Sequence, residues 1–264
     1  MQQTTDPIPF IAIDGDYAAG MLLLADHARN ALPPEYGTLG LAQSEFERHI
    51  AYDIGVEAVT RGIAARLGVP AVLCGFSRLL IDPNRGEDDP TLIRQLYDGA
   101  VIAGNYPLDP LERERRLDGW YRPYHREVAG AVDKVARASG LAPLLISIHS
   151  FTPTMQGVAR PWHVSLLWDI DDRAMRPLYE ALTRDGEFVV GDNEPYDGAL
   201  KGDTMYRHAM HDGYPHVLIE IRQDLVATAE GQAEWADRLA PVLDGINAQA
   251  DIHHKRFFGS RTHG

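Results

Sequence analysis

The chain has 264 residues, 45% of them apolar, which is enough to bury a substantial core and is expected to form one domain over residues 1–264. Its 38 acidic residues outweigh 25 basic ones, and the resulting formal charge of −13 disfavours any general attraction to nucleic-acid phosphates or an anionic membrane surface, while permitting a local basic pocket. The opening MQQTTDPIPF lacks a basic segment followed by an apolar one, and no apolar stretch nears membrane-spanning length, so the expected location is the cytoplasm. Apolar runs of strand length then alternate with amphipathic stretches. The first, GMLLLAD (20–26), ends abruptly in a crowd of polar groups: Asp26, His27, Arg29 and Asn30. A long helix is expected from Ser44, which has capping-box spacing to Glu47, through Phe46, Ile50, Ile54 and Ala58 as its buried stripe to Leu67, with Gly68 and Pro70 ending it. The run VPAVLCG (69–75) holds the single cysteine, Cys74, expected as a small core side chain; neither a cysteine-based zinc site nor a redox pair is available.

Further along, the acidic segment 86–91 reads as a solvated connection. Helical pattern returns over Leu111 to Ala138, with Pro123 starting, kinking or dividing it. The strands PLLISIHS (143–150), WHVSLLW (162–168), EFVVG (187–191) and HVLIEIR (216–222) follow, with surface helices at 171–186 and 229–251, the latter packing Trp235, Leu239 and Val242 on the sheet. This alternation predicts an α/β sandwich. Near-continuous apolar strands mean that helices cover both faces of a mixed, mainly parallel sheet.

Three of these strands deliver imidazole or carboxylate: His27 follows the first, His149 ends the third, and Glu220 shares a face with Arg222 on the last. Pockets in such sheets lie beyond the carboxyl ends of strands, so His27, His149 and Glu220 are candidates for one site. Two histidines and a carboxylate with an open position suit a hydrolytic zinc site, although iron, cobalt or nickel also bind nitrogen and oxygen donors. Asp53, four residues after His49, is the preferred third ligand because it brings negative charge; Asn30, three residues after His27, is its rival. His163 is expected to be a satisfied core histidine, with a role beside the metal or as a ligand as its alternative. His253, His254 and His263 are expected to face solvent. In SRLLIDPNR (77–85), Arg78, Asn84 and Arg85 surround a turn and suit an anionic ligand, the alternative being that the arginines pair with Asp82 and a neighbouring acid.

The ordered segments ADHARNALP, HIAYDIG, SRLLIDPNR, SIHSFTP and LIEIRQD resemble the N-formylglutamate amidohydrolase family, over roughly residues 22 to 224. The resemblance implies a phosphorylase/hydrolase-like α/β/α sandwich related to zinc carboxypeptidases and aspartoacylases, and metal-assisted hydrolysis of an N-formyl or N-acyl amide of an acidic amino acid such as N-formylglutamate. That chemistry belongs to amino-acid metabolism such as histidine degradation. By that resemblance His27 and His149 are metal ligands and Glu220 handles protons. Arg78 stabilises the oxyanion, and Asn84 with Arg85 grips the substrate carboxylate. The segment GALKGDTMYRH resembles a loop that often reads lysine-glycine-glycine, which brings Lys201 and Arg207 near the pocket, with Asp203 at the second glycine. Arg222 completes the expected substrate-binding set. A deacylase or carboxypeptidase-like enzyme with another substrate is the alternative within enzymes, and a non-catalytic binding module for small carboxylic acids is the alternative outside them.

Overall fold

The structure is a computed structural model in which residues 7–262 are described. Seven strands form one sheet: β1 (Phe10–Ile13), β2 (Met21–Ala25), β3 (Ala71–Cys74), β4 (Leu144–Phe151), β5 (Val164–Leu167), β6 (Val190–Asp192) and β7 (His216–Arg222). Their order is β1-β3-β2-β4-β7-β5-β6. Four of the six pairings are parallel; only β1 on β3 and β7 on β5 run antiparallel. The helices are α1 (Val56–Leu67), α2 (Pro110–Arg116), α3 (Arg122–Ser139), α4 (Met175–Thr183), α5 (Thr204–His208) and α6 (Ala229–Asn247). Two short hairpins, Leu96–Tyr97 with Ala100–Val101 and Thr154–Met155 with Val158–Ala159, stand outside the sheet.

Every residue of β2 is buried, and its alternating side chains enter two different cores. Leu23 and Ala25 pack with Val59 and Ile63 of α1, Leu178 of α4 and Leu239 of α6. Leu22 and Leu24 pack on the opposite face with Tyr124, Val128 and Val135 of α3 and Met205 of α5. Helices therefore cover both faces of the mixed sheet, and its buried strands need no polar alternation. Cys74 is fully buried in the second core. No helix among the described residues is long and apolar enough to cross a membrane.

The first long helix differs from its sequence pattern. Residues Gln43–Glu47 form only a 3-10 turn, and α1 begins at Val56. Gly55 imposes the break: its φ is +83°, and a Cβ there would lie 2.2 Å from the Val226 carbonyl oxygen. Ala58, expected on the buried stripe, is consequently exposed, whereas Phe46 and Ile50 pack into a separate small cluster. The helical end at Gly68 is as expected, with a left-handed cap. The region around Pro123 divides as its pattern allowed: α2 passes through a π-helical turn, Leu117–Tyr121, into α3, where Pro123 occupies the first turn. His253 departs from its expected exposure, because both ring nitrogens meet backbone carbonyls, of Ala142 at 2.9 Å and Asn247 at 2.7 Å, and the ring is buried. His254 is exposed, and His263 lies outside the described residues. His163 accepts from the Val189 amide at 3.0 Å.

Candidate active site

The break before α1 allows Asp53 to stand at the sheet edge rather than on a helix. Its amide donates to the His27 carbonyl at 2.9 Å, while Ser77 bonds Ala31 through its amide and Ala51 through its hydroxyl, each at 2.8 Å. Three loops that follow or approach β2, β3 and α1 are thereby stitched together at the carboxyl ends of the parallel strands. On β4 and β7 the register sets His149 opposite Glu220. The result is a cavity of about 410 Å³ lined by His27, Asp53, Arg78, Asn84, Arg85, Arg94, His149 and Glu220, among others.

His27, Asp53 and His149 are all buried and offer ligand atoms within 4.8 Å of one another. Each histidine is oriented from behind by a carboxylate: His27 Nε2 donates to Asp82 Oδ1 at 2.7 Å and His149 Nε2 to Asp26 Oδ2 at 3.2 Å. A carboxylate only accepts, so Nε2 of His27 carries the hydrogen and its Nδ1 turns to the cavity. In His149 both nitrogens face carboxylates, and with Nε2 donating to Asp26 its Nδ1 meets Asp53 as acceptor against acceptor, a contact that a shared cation relieves. His27 Nδ1 has no hydrogen-bond partner, and Asp53 Oδ2 lies 3.4 Å away; His149 Nδ1 lies 2.9 Å from the same oxygen. Two imidazole nitrogens around one carboxylate oxygen, one of them buried and unpartnered, fit a divalent cation.

The surrounding charges support this arrangement. Burial and the nearby Arg78 guanidinium push the His27 imidazole down to about 4, against the pull of Asp82. Burial by itself would raise Asp26, but the hydrogen bond and charge of His149, with His27 and Thr204, hold it well below the usual carboxylate range. Burial is likewise outweighed at Asp82, where His27 and Arg85 keep the carboxylate ionised. Asp26 receives three further hydrogen bonds, from Tyr124 and Thr204 on Oδ1 at 2.8 and 2.6 Å and from Ser147 on Oδ2 at 3.2 Å. Glu220 behaves oppositely: burial raises its pKa despite His149 and Arg78, and its Oε2 has no partner. A carboxyl whose proton is less acidic than usual is suited to exchanging protons with a bound molecule.

Arg78 pairs with Asp53 Oδ1 and fixes that carboxylate, leaving its own Nε unpartnered. Asn84 uses its Oδ1 to accept from the Thr204 amide at 3.0 Å, so its amide nitrogen is the group left for a ligand. Arg85 donates to Thr91 Oγ1 and the Asn84 carbonyl, and has no carboxylate partner among the described residues. The alternative reading, in which Asp82 and a neighbouring acid pair with the two arginines, holds only for Arg78, which meets Asp53, because Asp82 bonds His27 instead.

Four expected site residues lie elsewhere. The Asn30 side chain donates to the Phe46 carbonyl at 2.7 Å, outside the cavity lining, so its place as rival ligand falls away. Lys201 is exposed and meets Asp88 at 3.4 Å. Arg207 turns to the Tyr121 hydroxyl at 2.8 Å and over that ring. Arg222 forks onto Asp224 at 2.8 and 3.1 Å, although period-two spacing gives it the face of Glu220. Sequence reasoning in turn left out Arg94, which lines the cavity with its guanidinium 4.6 Å over the Tyr97 ring and its buried Nε unpartnered. It also gave Asp26 and Asp82 no part in orienting histidines, though Asp26 is legible as a carboxylate closing an apolar run.

Comparison with known proteins identifies the family and the fold. A family model described as N-formylglutamate amidohydrolase matches residues 19–227. The chain belongs to the N-formylglutamate amidohydrolase family. An N-formylglutamate deformylase of Pseudomonas putida is 35% identical over 102 residues, 33% of this chain and 36% of that protein, so the match spans about a third of the curated relative. The solved structure of a gene product from Agrobacterium tumefaciens is 31% identical, with a TM-score of 0.83, covering 92% of this chain and 95% of that one. An N-formylglutamate amidohydrolase from Ralstonia eutropha JMP134, 23% identical, shares the fold with a TM-score of 0.72 over 92% of this chain and 97% of that one.

Proposed function

We propose that this protein is a metal-dependent amidohydrolase that cleaves the N-formyl or N-acyl amide of an acidic amino acid, with N-formylglutamate giving formate and glutamate as the representative reaction. The observation that carries the proposal is the convergence of His27 Nδ1, His149 Nδ1 and Asp53 Oδ2 beside the unpartnered Oε2 of Glu220. Family membership and the resemblance to the Pseudomonas putida deformylase support it.

His27, Asp53 and His149 would hold one divalent ion, with zinc favoured by the nitrogen and oxygen donors. When bound, such an ion supplies Lewis acidity that polarises an amide carbonyl and makes water a stronger acid. Glu220 takes a proton from the attacking water and returns it to the departing nitrogen, so that a C–O bond forms as the C–N bond breaks. Arg78 stands at the cavity wall, where its charge stabilises the oxygen that becomes anionic. The Asn84 amide and Arg85 bind one substrate carboxylate, and Arg94 supplies a second cation for a dicarboxylic substrate. In an acidic protein, arginines left without carboxylate partners around one cavity concentrate anionic ligands there. All these groups come from one sheet and its loops, as a single catalytic domain would supply them.

One observation favours acyl groups larger than formyl: Phe151, Met155, Leu167, Leu200 and Leu218 give part of the same cavity an apolar lining. Hydrolysis of N-formyl, N-acetyl and peptide derivatives of glutamate and aspartate, each with zinc, cobalt or nickel restored, tests the proposal. Metal-dependent release of the free amino acid supports it, and no turnover with any pair refutes it.

A further inference from the structure

Residues 193–200, between β6 and α5, contribute Tyr196, Asp197, Gly198 and Leu200 to the cavity lining. Internal contacts shape this loop. Asn193 Oδ1 accepts from the amides of Trp168 and Gly198, each at 3.0 Å, and Gly198 lies so near Trp168 that a Cβ would sit 2.2 Å from its backbone nitrogen.

An external clamp comes from Arg261, in the segment after α6. Its Nη1 and Nη2 donate to the two carboxylate oxygens of Asp197 at 3.0 and 2.6 Å, while Nε reaches Asp169 Oδ1 at 3.0 Å and Nη2 reaches the Trp168 carbonyl at 2.9 Å. The Asp169 side chain is 1% exposed, and among the described residues its carboxylate accepts hydrogen bonds only from Arg261, through Nε and the backbone amide. One guanidinium thus joins a buried anchor just beyond β5 to the loop that walls the cavity. Residue 261 lies outside the segment matched by the family model.

We infer that Arg261 is a positioning residue that latches the loop 193–200 into place as a wall of the substrate cavity. The inference rests on the proposed use of that cavity for substrate. It follows from the fork geometry: Arg261 satisfies Asp169, the Trp168 carbonyl and both oxygens of Asp197 at once, which a single lysine ammonium does not reproduce. Without the latch, the loop keeps only its internal bonds and samples positions that bind substrate less well.

The test compares wild type with Arg261→Ala, Arg261→Lys and the double variant Arg261→Ala/Asp169→Asn, which removes the buried carboxylate that the single alanine leaves with only the residue 261 amide as donor. Amide hydrogen exchange at Gly198 should quicken by roughly tenfold in all three while α1 is unchanged. KM for N-formylglutamate should rise roughly tenfold with kcat within about twofold, and metal content should stay the same. Unchanged exchange at Gly198 overturns the inference, as does faster exchange shared equally by α1 with KM unaltered, the signature of lost stability alone. Because exchange needs no substrate, an inactive wild type would refute the functional reading while the ratio between Gly198 and α1 still decides the latch.

Discussion

Replacing Asp26 by asparagine probes how the protein prepares His149 for a cation. Asp26 is fully buried and receives Tyr124 and Thr204 on one oxygen and Ser147 and His149 on the other. Asparagine preserves shape but has one acceptor end. If its oxygen faces His149, the contact survives with a neutral acceptor, worth about 1–2 kcal/mol less than an ionised one. If its amide nitrogen faces His149, Nε2 must accept instead, the hydrogen moves to Nδ1, and that nitrogen can no longer ligate. Either orientation weakens the site, and the first, milder one corresponds to about a 5- to 30-fold loss of metal affinity. Competition with a chromophoric chelator measures the dissociation constant directly, and urea unfolding of the apo forms separates it from stability. A folded Asp26→Asn protein with wild-type metal affinity would refute the claim that Asp26 fixes the ligating nitrogen.

Three other outcomes follow from the same geometry. Glu220→Gln should keep its metal while kcat falls by at least about 100-fold, since it removes the proton carrier and leaves the ligands; turnover within tenfold of wild type would remove that role. Arg94→Ala should raise KM for N-formylglutamate by about tenfold, with a smaller effect on a substrate that has only one carboxylate, and an equal effect on both would argue against recognition of a second anion. The third concerns pH: burial, with Arg207 adding to it, lowers His208 to about 4 from an ordinary 6.5, and His125, 2.9 Å away, is also held well below its usual range by burial. Between pH 6.5 and 4 the unfolded chain therefore binds protons that the native protein refuses, and stability falls with falling pH, by up to about 3 kcal/mol for His208 alone. His208→Gln should flatten that loss in urea unfolding at pH 7 and pH 4.5; an unchanged difference between the two pH values would contradict the assignment.

What the sequence reveals depends on whether burial or long-range contact decides the outcome. The strands β2, β4 and β7 are legible because whole apolar runs are buried, and their ends bring His27, His149 and Glu220 to one edge by topology alone. Strand β1 escapes notice because three of its four residues are only partly buried and Ala12 is exposed, at the sheet edge. The late start of α1 is invisible locally: Ser44 and Glu47 carry a good capping pattern, and only the approach of Val226 explains why Gly55 interrupts the helix. Long cationic side chains are the hardest to place. Lys201, Arg207 and Arg222 have tips set by Asp88, Tyr121 and Asp224, whereas spacing along the chain speaks only for their backbones. The carboxylates behind the histidines were hidden for a related reason, since Asp82 has Arg78 and Arg85 nearby in sequence yet bonds His27, 55 residues away.

Metal stoichiometry addresses the core of the account most directly. Purified protein and its His27→Ala, Asp53→Ala and His149→Ala variants, loaded with zinc, dialysed and analysed for elements, should show one tightly held equivalent in the wild type and a loss in each folded variant. Retention of that equivalent in all three variants would contradict a shared cation site at these residues.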